Sequence, residues 1–237
     1  MLPDFNSPAP ALASPLGQAT VHAPAAPVSR RWTSLYGLVW FGFWMANLVP
    51  LQLLLPQQLE AIDPASKVSD FAVVNGVSGL AALVALPICG ALCDRSRSRF
   101  GRRRLWLAGG ALAFPAGLIV TGAQTTVTGV TVAWSASMLG LSAVTAALTA
   151  VIADRVPENQ RGMISSAIYG PQALGVVVGI AVTSAFVLSP QAAFAVMAAL
   201  LIICVMPFML HYREAAYGSE PPLRLRAVLT SMGSSLK

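Results

Sequence analysis

The stretch that decides the fold is GALCDRSRSRFGRRR, residues 90–104. Its last eleven residues hold six arginines and one aspartate, in a chain of 237 residues of which only 10% are charged. Soluble domains carry about 25% charged residues. A chain that is 56% hydrophobic has too few polar side chains to cover a soluble surface. The arginines therefore mark the boundary of segments that are buried in a membrane.

Six apolar runs surround this stretch, at residues 32–56, 71–93, 105–123, 130–153, 163–188 and 191–211. About 20 apolar residues cross a hydrocarbon core of about 30 Å, and each run approaches or exceeds that length. The sequence predicts an all-α membrane protein with a six-helix transmembrane bundle over residues 32–211. Residues 1–29, with six prolines, are expected to form a disordered cytoplasmic tail. Residues 212–237 are expected to be a cytoplasmic tail or a truncated central linker.

The positions of the basic residues predict an orientation. Fourteen of the fifteen Lys and Arg residues precede the first run, follow the sixth, or lie between runs two and three or four and five. The exception is Lys67. By the positive-inside rule both termini are cytoplasmic, in a multi-pass protein of the plasma (inner) membrane. Because the net charge of +6 comes from these flanks, we expect a lipid bilayer as partner and no nucleic acid.

Asp94 stands at the predicted C-terminus of the second helix, where the helix dipole disfavours a carboxylate. The following arginines are its predicted partners, and Gly90 is expected to allow close approach of another helix. The pattern G-x-L-x-D-R…G-R-R resembles the signature between helices 2 and 3 of the major facilitator superfamily of transporters. Its long spacing is similar to that of the glycoside-pentoside-hexuronide cation symporters and sucrose symporters. The matching residues are Gly90, Leu92, Asp94, Arg95, Gly101, Arg102 and Arg103, and Arg104 follows them as a further candidate gate residue.

This resemblance implies half of a major-facilitator fold, with six helices arranged as a 3+3 inverted repeat and with helices three and six peripheral. It implies that Asp94 and the arginines form a gate with a second six-helix half, which is a separate chain, a missing C-terminal half or a second copy of this chain. A weaker similarity to this motif lies between helices four and five and is interpreted as a trace of the repeat. It consists of Asp154, Arg155, Arg161 and Gly162.

Polar and aromatic side chains recur at helical spacing on three of the predicted spans, which indicates a substrate cavity. Aromatic faces beside neutral hydrogen-bonding groups suit a small polar solute, with a sugar as the leading candidate. The alternative is that the hydroxyls bond their own helix backbone and the tryptophans fill gaps or sit at the interface. The candidate residues are Trp40, Trp44 and Asn47 on helix one, Ser142, Thr145 and Thr149 on helix four, and Tyr169 and Gln172 on helix five.

The sequence offers little for catalysis. No charged residue lies within a span, and His211 stands at the end of the sixth, so a coupling ion, proton or sodium, has no buried carboxylate as ligand and stays unassigned. The Gly76–Gly79 segment resembles an intramembrane serine protease motif, but Ser78 is predicted far from His211 and has no base. No Walker sequence is present. The cysteines have no zinc-type spacing, so no enzyme activity, cofactor or metal is expected.

The leading hypothesis is a secondary active transporter, or its N-terminal half, that moves a small polar solute by alternating access, with symport as the implied mode. Three alternatives stay open. The chain could act as a homodimeric half-transporter, as a drug or metabolite antiporter suggested by Gly170 and Pro171, or as a non-transporting truncated membrane protein. A kink at Pro171 followed by a face of small residues is the simpler interpretation of that helix-five segment.

Overall fold

The computed structural model describes residues 27–96, 101–185 and 189–212. Within these residues the chain forms six long helices and no strand, and all six are long and apolar enough to span a membrane. This confirms the predicted all-helical, six-span fold. The predicted terminal tails fall almost entirely outside the described residues. The helices are α1 (Arg30–Ile62), α2 (Lys67–Arg95), α3 (Arg102–Gly122), α4 (Val127–Arg155), α5 (Arg161–Ala185) and α6 (Pro190–His211).

The helices extend beyond the apolar runs that predict them. The first apolar run ends at residue 56, but α1 continues to Ile62 through the polar residues Gln57, Gln58 and Glu60. Hydropathy detects only the part of a helix whose side chains are apolar. The backbone hydrogen bonds of α1 continue beyond this part into its polar end. The connection from α1 to α2 is therefore only four residues long, 63–66.

One turn of α1 is widened into a π-helix at Pro50–Leu54. Proline has no N–H to donate to the carbonyl one turn earlier, and a wider turn accommodates this break. There, the N–H of Leu55 donates to the carbonyl of Pro50, five residues back. Such single wide turns occur often at functional sites, and this one begins three residues after Asn47.

The helix contacts have an internal symmetry. α4 packs against α2 and α3, α1 packs against α5 and α6, and α3 packs against α6. Exchanging α1 with α4, α2 with α5 and α3 with α6 converts this set of contacts into itself. The six helices therefore behave as two equivalent triplets, as a 3+3 repeat requires.

Glycines allow the closest helix pairs to touch. On α5, a side chain at Gly175 would lie 3.0 Å from the carbonyl oxygen of Phe41, and one at Gly179 would lie 2.6 Å from Val49. The predicted small-residue face of α5 is thus confirmed, and it packs on α1. On α4, a Cβ at Gly140 would lie 2.5 Å from the backbone nitrogen of Phe114 of α3.

Two helices are much less covered than the others. In the most apolar window of α2 and of α5, 17% of residues are buried, against 44% to 56% for the other four helices. In this half α3 and α6 pack on each other and each on a central helix, and their peripheral position in a complete transporter stays a prediction. The exposed faces belong to α2 and α5.

Candidate functional site

A charge network joins three helices at the end of the bundle where Arg31, Arg102, Arg103, Arg155 and Arg161 lie, here called the arginine-rich end. Arg103, whose side chain is 6% exposed, donates from Nη1 to Oδ1 of Asp94 at 2.5 Å and from Nε to Oδ2 of Asp154 at 2.9 Å. Arg102 donates to the backbone carbonyl of Asp94 at 3.0 Å and lies 3.9 Å from the Asp154 carboxylate.

Helix dipoles explain why these three charges are held together. Asp94 and Asp154 occupy the last turns of α2 and α4, where a negative charge is disfavoured, and Arg103 occupies the first turn of α3, where a positive charge is disfavoured. A guanidinium has several donors in a fixed fork and can serve two carboxylates. Each unfavourable position is therefore offset by the others. The prediction that an arginine after Asp94 compensates its charge is confirmed for Arg103, whereas Arg102 bonds the backbone carbonyl of Asp94.

Gly101 allows the chain to enter α3 in the right direction. Its φ is 96°, a left-handed conformation that glycine adopts without the steric cost of a Cβ. Gly101 is buried and immediately precedes the helix. The glycine of the loop signature thus has a local structural reason that is separate from any gate.

Asp154 joins the second loop cluster to the network. Arg155 is exposed and its guanidinium lies 5.6 Å from the ring centre of Tyr212. Arg161 lies 3.8 Å from the exposed carboxylate of Glu158, and no atom of the described residues lies within 4 Å of a Cβ built on Gly162. The symmetry that relates the two triplets pairs the α2–α3 connection with the α5–α6 connection. The interpretation of the Asp154 cluster as a trace of the repeat is therefore wrong, and Asp154 is instead a partner of Arg103.

A groove of about 350 Å³ opens beside this network, between α2 and α4. Its lining includes Gly90, Asp94 and Arg103 together with Thr145 and Thr149. No atom lies within 4 Å of a Cβ built on Gly90, so this glycine leaves space and does not seat a neighbouring helix within the described residues. The structure thus brings the helix-four threonines next to the predicted gate motif.

The threonine hydroxyls also agree with the alternative interpretation, in which they bond the backbone of their own helix. Thr145 donates to the carbonyl of Leu141, and Thr149 donates to the carbonyls of Thr145 and Ala146. Ser142 is 1% exposed, so its side chain is buried in the bundle and does not line an open cavity. Of the three helix-four candidates, Thr145 and Thr149 are accessible from a cavity.

The aromatic candidates of α1 and α5 form a second group. The rings of Trp40 and Trp44 are 5.8 Å apart, and the ring of Trp44 is 6.3 Å from that of Tyr169. The indole N–H of Trp44 donates to the carbonyl of Ile168 at 2.8 Å. Trp40 is 3% exposed, and its indole nitrogen is buried without a partner among the described residues.

Two amides extend this group by one helical turn. Asn47 follows Trp44 by three residues and Gln172 follows Tyr169 by three, and both are half-buried. Within the described part of the chain, neither amide makes a hydrogen bond, nor does the hydroxyl of Tyr169. We call Trp40, Trp44, Asn47, Tyr169 and Gln172 the α1–α5 cluster. It combines two exposed or half-exposed aromatic faces with donors and acceptors that have no protein partner.

The structure also shows functional candidates that the sequence reasoning missed. The hydroxyl of Tyr36 donates to the carbonyl of Leu148 at 3.1 Å and links α1 to α4. Its ring stacks on Trp32 at 5.0 Å and meets Phe208 edge-on at 5.8 Å. These rings close the arginine-rich end between α1, α4 and α6. Trp32, Tyr36 and Trp40 follow one another at intervals of four residues, and this spacing indicates an aromatic stripe on one face of α1.

Ser78 is buried and its hydroxyl donates to the carbonyl of Asn75 at 3.2 Å, while His211 contacts Arg31 and the carbonyl of Pro207 at the arginine-rich end. Among the described residues, no group of three His, Cys, Asp or Glu side chains is placed to hold a metal ion. The charge network, the groove beside it and the α1–α5 cluster are therefore the candidate functional features.

Comparison with known proteins agrees with this architecture. A family profile described as Major Facilitator Superfamily matches residues 33–233, which is most of the chain. No curated protein matches the chain. Six membrane-spanning helices in two equivalent triplets and a profile match over this length lead to one conclusion: the chain belongs to the Major Facilitator Superfamily of secondary transporters.

Proposed function

We propose that the chain provides one six-helix half of a transporter that moves a small polar solute, a sugar by preference, by alternating access. The observation that carries the proposal is the α1–α5 cluster. Indole and phenol rings pack on the C–H face of a sugar, while free amides bond its hydroxyl groups. The unpartnered indole N–H of Trp40 adds a buried donor, which is costly to leave unsatisfied.

The proposed partner is a second six-helix half that covers the exposed faces of α2 and α5. Apolar residues on α2 such as Leu80 and Leu83 are 65% and 71% exposed, and Leu174 on α5 is 63% exposed. Alternating access needs two bodies that rock around a common site. The second body is a separate chain, a further part of a longer chain, or another copy of this one.

The charge network is proposed to act as a gate toward that second half. Arg103 is buried, but the side chains of Asp94 and Asp154 remain 62% and 41% exposed. Each carboxylate therefore has acceptor capacity left for donors on the partner when the arginine-rich end closes. The gate would have two layers, because Arg103 orients the carboxylates within this half and the partner contacts them from outside.

We propose that the arginine-rich end faces the cytoplasm of a plasma (inner) membrane, as the positive-inside rule implies. The coupling ion stays unassigned.

The α1–α5 cluster is tested directly by ligand binding to the purified full chain in lipid nanodiscs. Binding is detected as an increase in stability to thermal unfolding. Pentoses, hexoses and disaccharides are the probes. A sugar present at ten times its Kd should stabilise the chain by about 1.4 kcal/mol. Asn47→Ala and Gln172→Ala should remove this stabilisation, because their amides are the proposed hydrogen-bonding groups.

The matched control is Gln57→Ala, which removes an exposed amide near the C-terminal end of α1. This variant should keep the ligand effect. If no sugar in the panel stabilises the chain, the substrate class is wrong. If a sugar stabilises Asn47→Ala as strongly as the unchanged protein, the site assignment fails even though binding is real.

A further inference from the structure

A pocket lies at the end of the bundle opposite the arginine-rich end, where α1 and α3 finish and α6 begins. Its volume is about 310 Å³, and all the described residues that line it are uncharged. The pocket therefore presents neutral polar groups beside apolar ones. The lining includes Gln58, Ala61, Gly122, Gln124, Thr125 and Gln191.

Gln58 of α1 is the most deeply buried polar side chain of this pocket. It is 4% exposed, and its Nε2 donates to the carbonyls of Thr121 and Gln124, at 2.9 Å each. The last carbonyls of a helix lack donors from within the helix, so Gln58 caps the end of α3. These two bonds use both hydrogens of the amide and fix its orientation.

The amide oxygen of Gln58 has an unused capacity to accept a hydrogen bond. Its Oε1 is buried and has no donor within the described residues. Turning the amide over would set this oxygen against the two carbonyls that its nitrogen now serves. A buried acceptor that has lost its bonds to water is costly unless a donor replaces them. The group that satisfies this oxygen is therefore a hydrogen-bond donor.

The rest of the pocket favours a neutral donor over a cation. α3 ends at the pocket and α6 begins there with Pro190, so the negative end of one helix dipole lies beside the positive end of another. None of the described lining residues is a carboxylate that could neutralise a cation. The hydroxyl of Thr125 and the amide of Gln191 make no hydrogen bond within the described part of the chain, and each can both donate and accept. A ligand with several hydroxyl groups matches this set.

We propose that this pocket binds a neutral polyhydroxyl solute the size of a monosaccharide, with one solute hydroxyl donating to Oε1 of Gln58. A volume of about 310 Å³ is at the lower limit of ligand pockets, so a monosaccharide fits better than a larger sugar. Gln58 is about 16 Å farther along α1 than Asn47, at a rise of about 1.5 Å per residue. The pocket is therefore a second site, on the side away from the gate. This second site rests on the proposed function, because its ligand class is the same.

The test counts the sugar molecules that bind to each chain. The purified full chain in lipid nanodiscs is titrated to saturation with radiolabelled pentoses and hexoses in a scintillation proximity assay. For a monosaccharide that binds, we expect two sites per chain, one at the α1–α5 cluster and one at this pocket. Asn47→Ala should abolish the first site and leave the second.

Two variants address the pocket itself. Gln58→Leu removes the acceptor and should weaken the second site about tenfold, through the loss of one hydrogen bond to a buried group. Its control is Gln57→Leu, which changes the neighbouring exposed amide and should keep both sites. Because Gln58 also caps α3, Ala61→Phe is a second test, since it fills the pocket while the bonds of Gln58 stay, and it should abolish the same site. Its control is Ala65→Phe, at an exposed alanine near the same end of the bundle and outside the pocket.

The outcomes distinguish the pocket from the α1–α5 cluster. A single site that Asn47→Ala removes and Ala61→Phe leaves intact would overturn the pocket and keep the cluster, and Oε1 of Gln58 would then bond only water. Two sites that both survive in Ala61→Phe would place the second sugar elsewhere and also overturn the pocket. A single site that Ala61→Phe removes and Asn47→Ala leaves intact would support the pocket and refute the cluster. If no pentose or hexose binds, the substrate class is wrong and the pocket fails with it.

Discussion

Arg103 is the residue whose replacement tests the charge network most directly. In Arg103→Lys the positive charge stays, but a single ammonium replaces the fork that now reaches Asp154 at 2.9 Å and Asp94 at 2.5 Å. Breaking a fully buried pair costs about 3–5 kcal/mol, whereas exposed pairs contribute about 0–1 kcal/mol. Because the arginine is buried and the carboxylates are about half exposed, we expect a loss of about 1–2 kcal/mol.

The assay is a double-mutant cycle with Arg103→Lys and Asp154→Asn, measured by unfolding the chain in mixed micelles and following helix content by circular dichroism. The coupling energy between the two residues should be about 1 kcal/mol. The control cycle uses Arg161→Lys and Glu158→Gln, since that pair is 3.8 Å apart and exposed. Its coupling should stay below about 0.5 kcal/mol. Equal coupling in both cycles would refute the reasoning.

Cys93 provides an independent readout of the same network. It is buried, and its sulfur lies 3.5 Å from Nη1 of Arg103. Shortening Arg103 should open this region and speed the reaction of Cys93 with a membrane-permeant maleimide, while Cys204, buried between α1 and α6, should react at its original rate. An unchanged Cys93 rate would mean that the network does not seal the end of α2.

Three further outcomes are expected. Gly101→Ala should destabilise the fold by about 1–2 kcal/mol because its φ is 96°, whereas Gly162→Ala should be nearly neutral in the same unfolding assay. Gly140→Ala should cost about 1–3 kcal/mol through its clash with α3, whereas Gly109→Ala, in open space, should not; similar losses would contradict the packing. In a cysteine-free background, a cysteine at Lys67 should react with an impermeant maleimide in intact cells, and failure to react would contradict the proposed orientation.

The six spans could be predicted from the sequence because apolar length responds to one dominant physical term, the cost of placing polar groups in hydrocarbon. The same reasoning misplaced the end of α1, since a helix does not stop where hydropathy falls. It also recognised Asp94 as a carboxylate in need of a partner, because the helix dipole acts locally and can be assigned from sequence position.

The partner itself could not be chosen from the sequence. Six arginines follow Asp94 within ten residues, and only the packing of α3 on α4 selects Arg103 by turning it inward. Asp154 is 51 residues from Arg103, so no local rule connects them. The similarity of its loop to the first one suggested a repeat, whereas the actual relation is a direct contact.

In the candidate cavity, too, residue spacing predicts which side chains share a helix face, and packing decides which faces meet. Spacing placed Trp40, Trp44 and Asn47 on one face of α1, and the packing of Gly175 and Gly179 on α1 brought Tyr169 beside Trp44. The helix-four threonines, with equally regular spacing, lie beside Asp94 in the groove between α2 and α4.

By itself the sequence determined that the chain is a six-span membrane protein with its arginines at one end, because hydropathy and charge act on each segment independently. Only the tertiary structure decided which arginine is buried, which carboxylates it holds and which faces of α2 and α5 remain uncovered. Those outcomes depend on contacts between residues far apart in the chain, where the fit of glycines against neighbouring helices sets the distance and rotation of each pair.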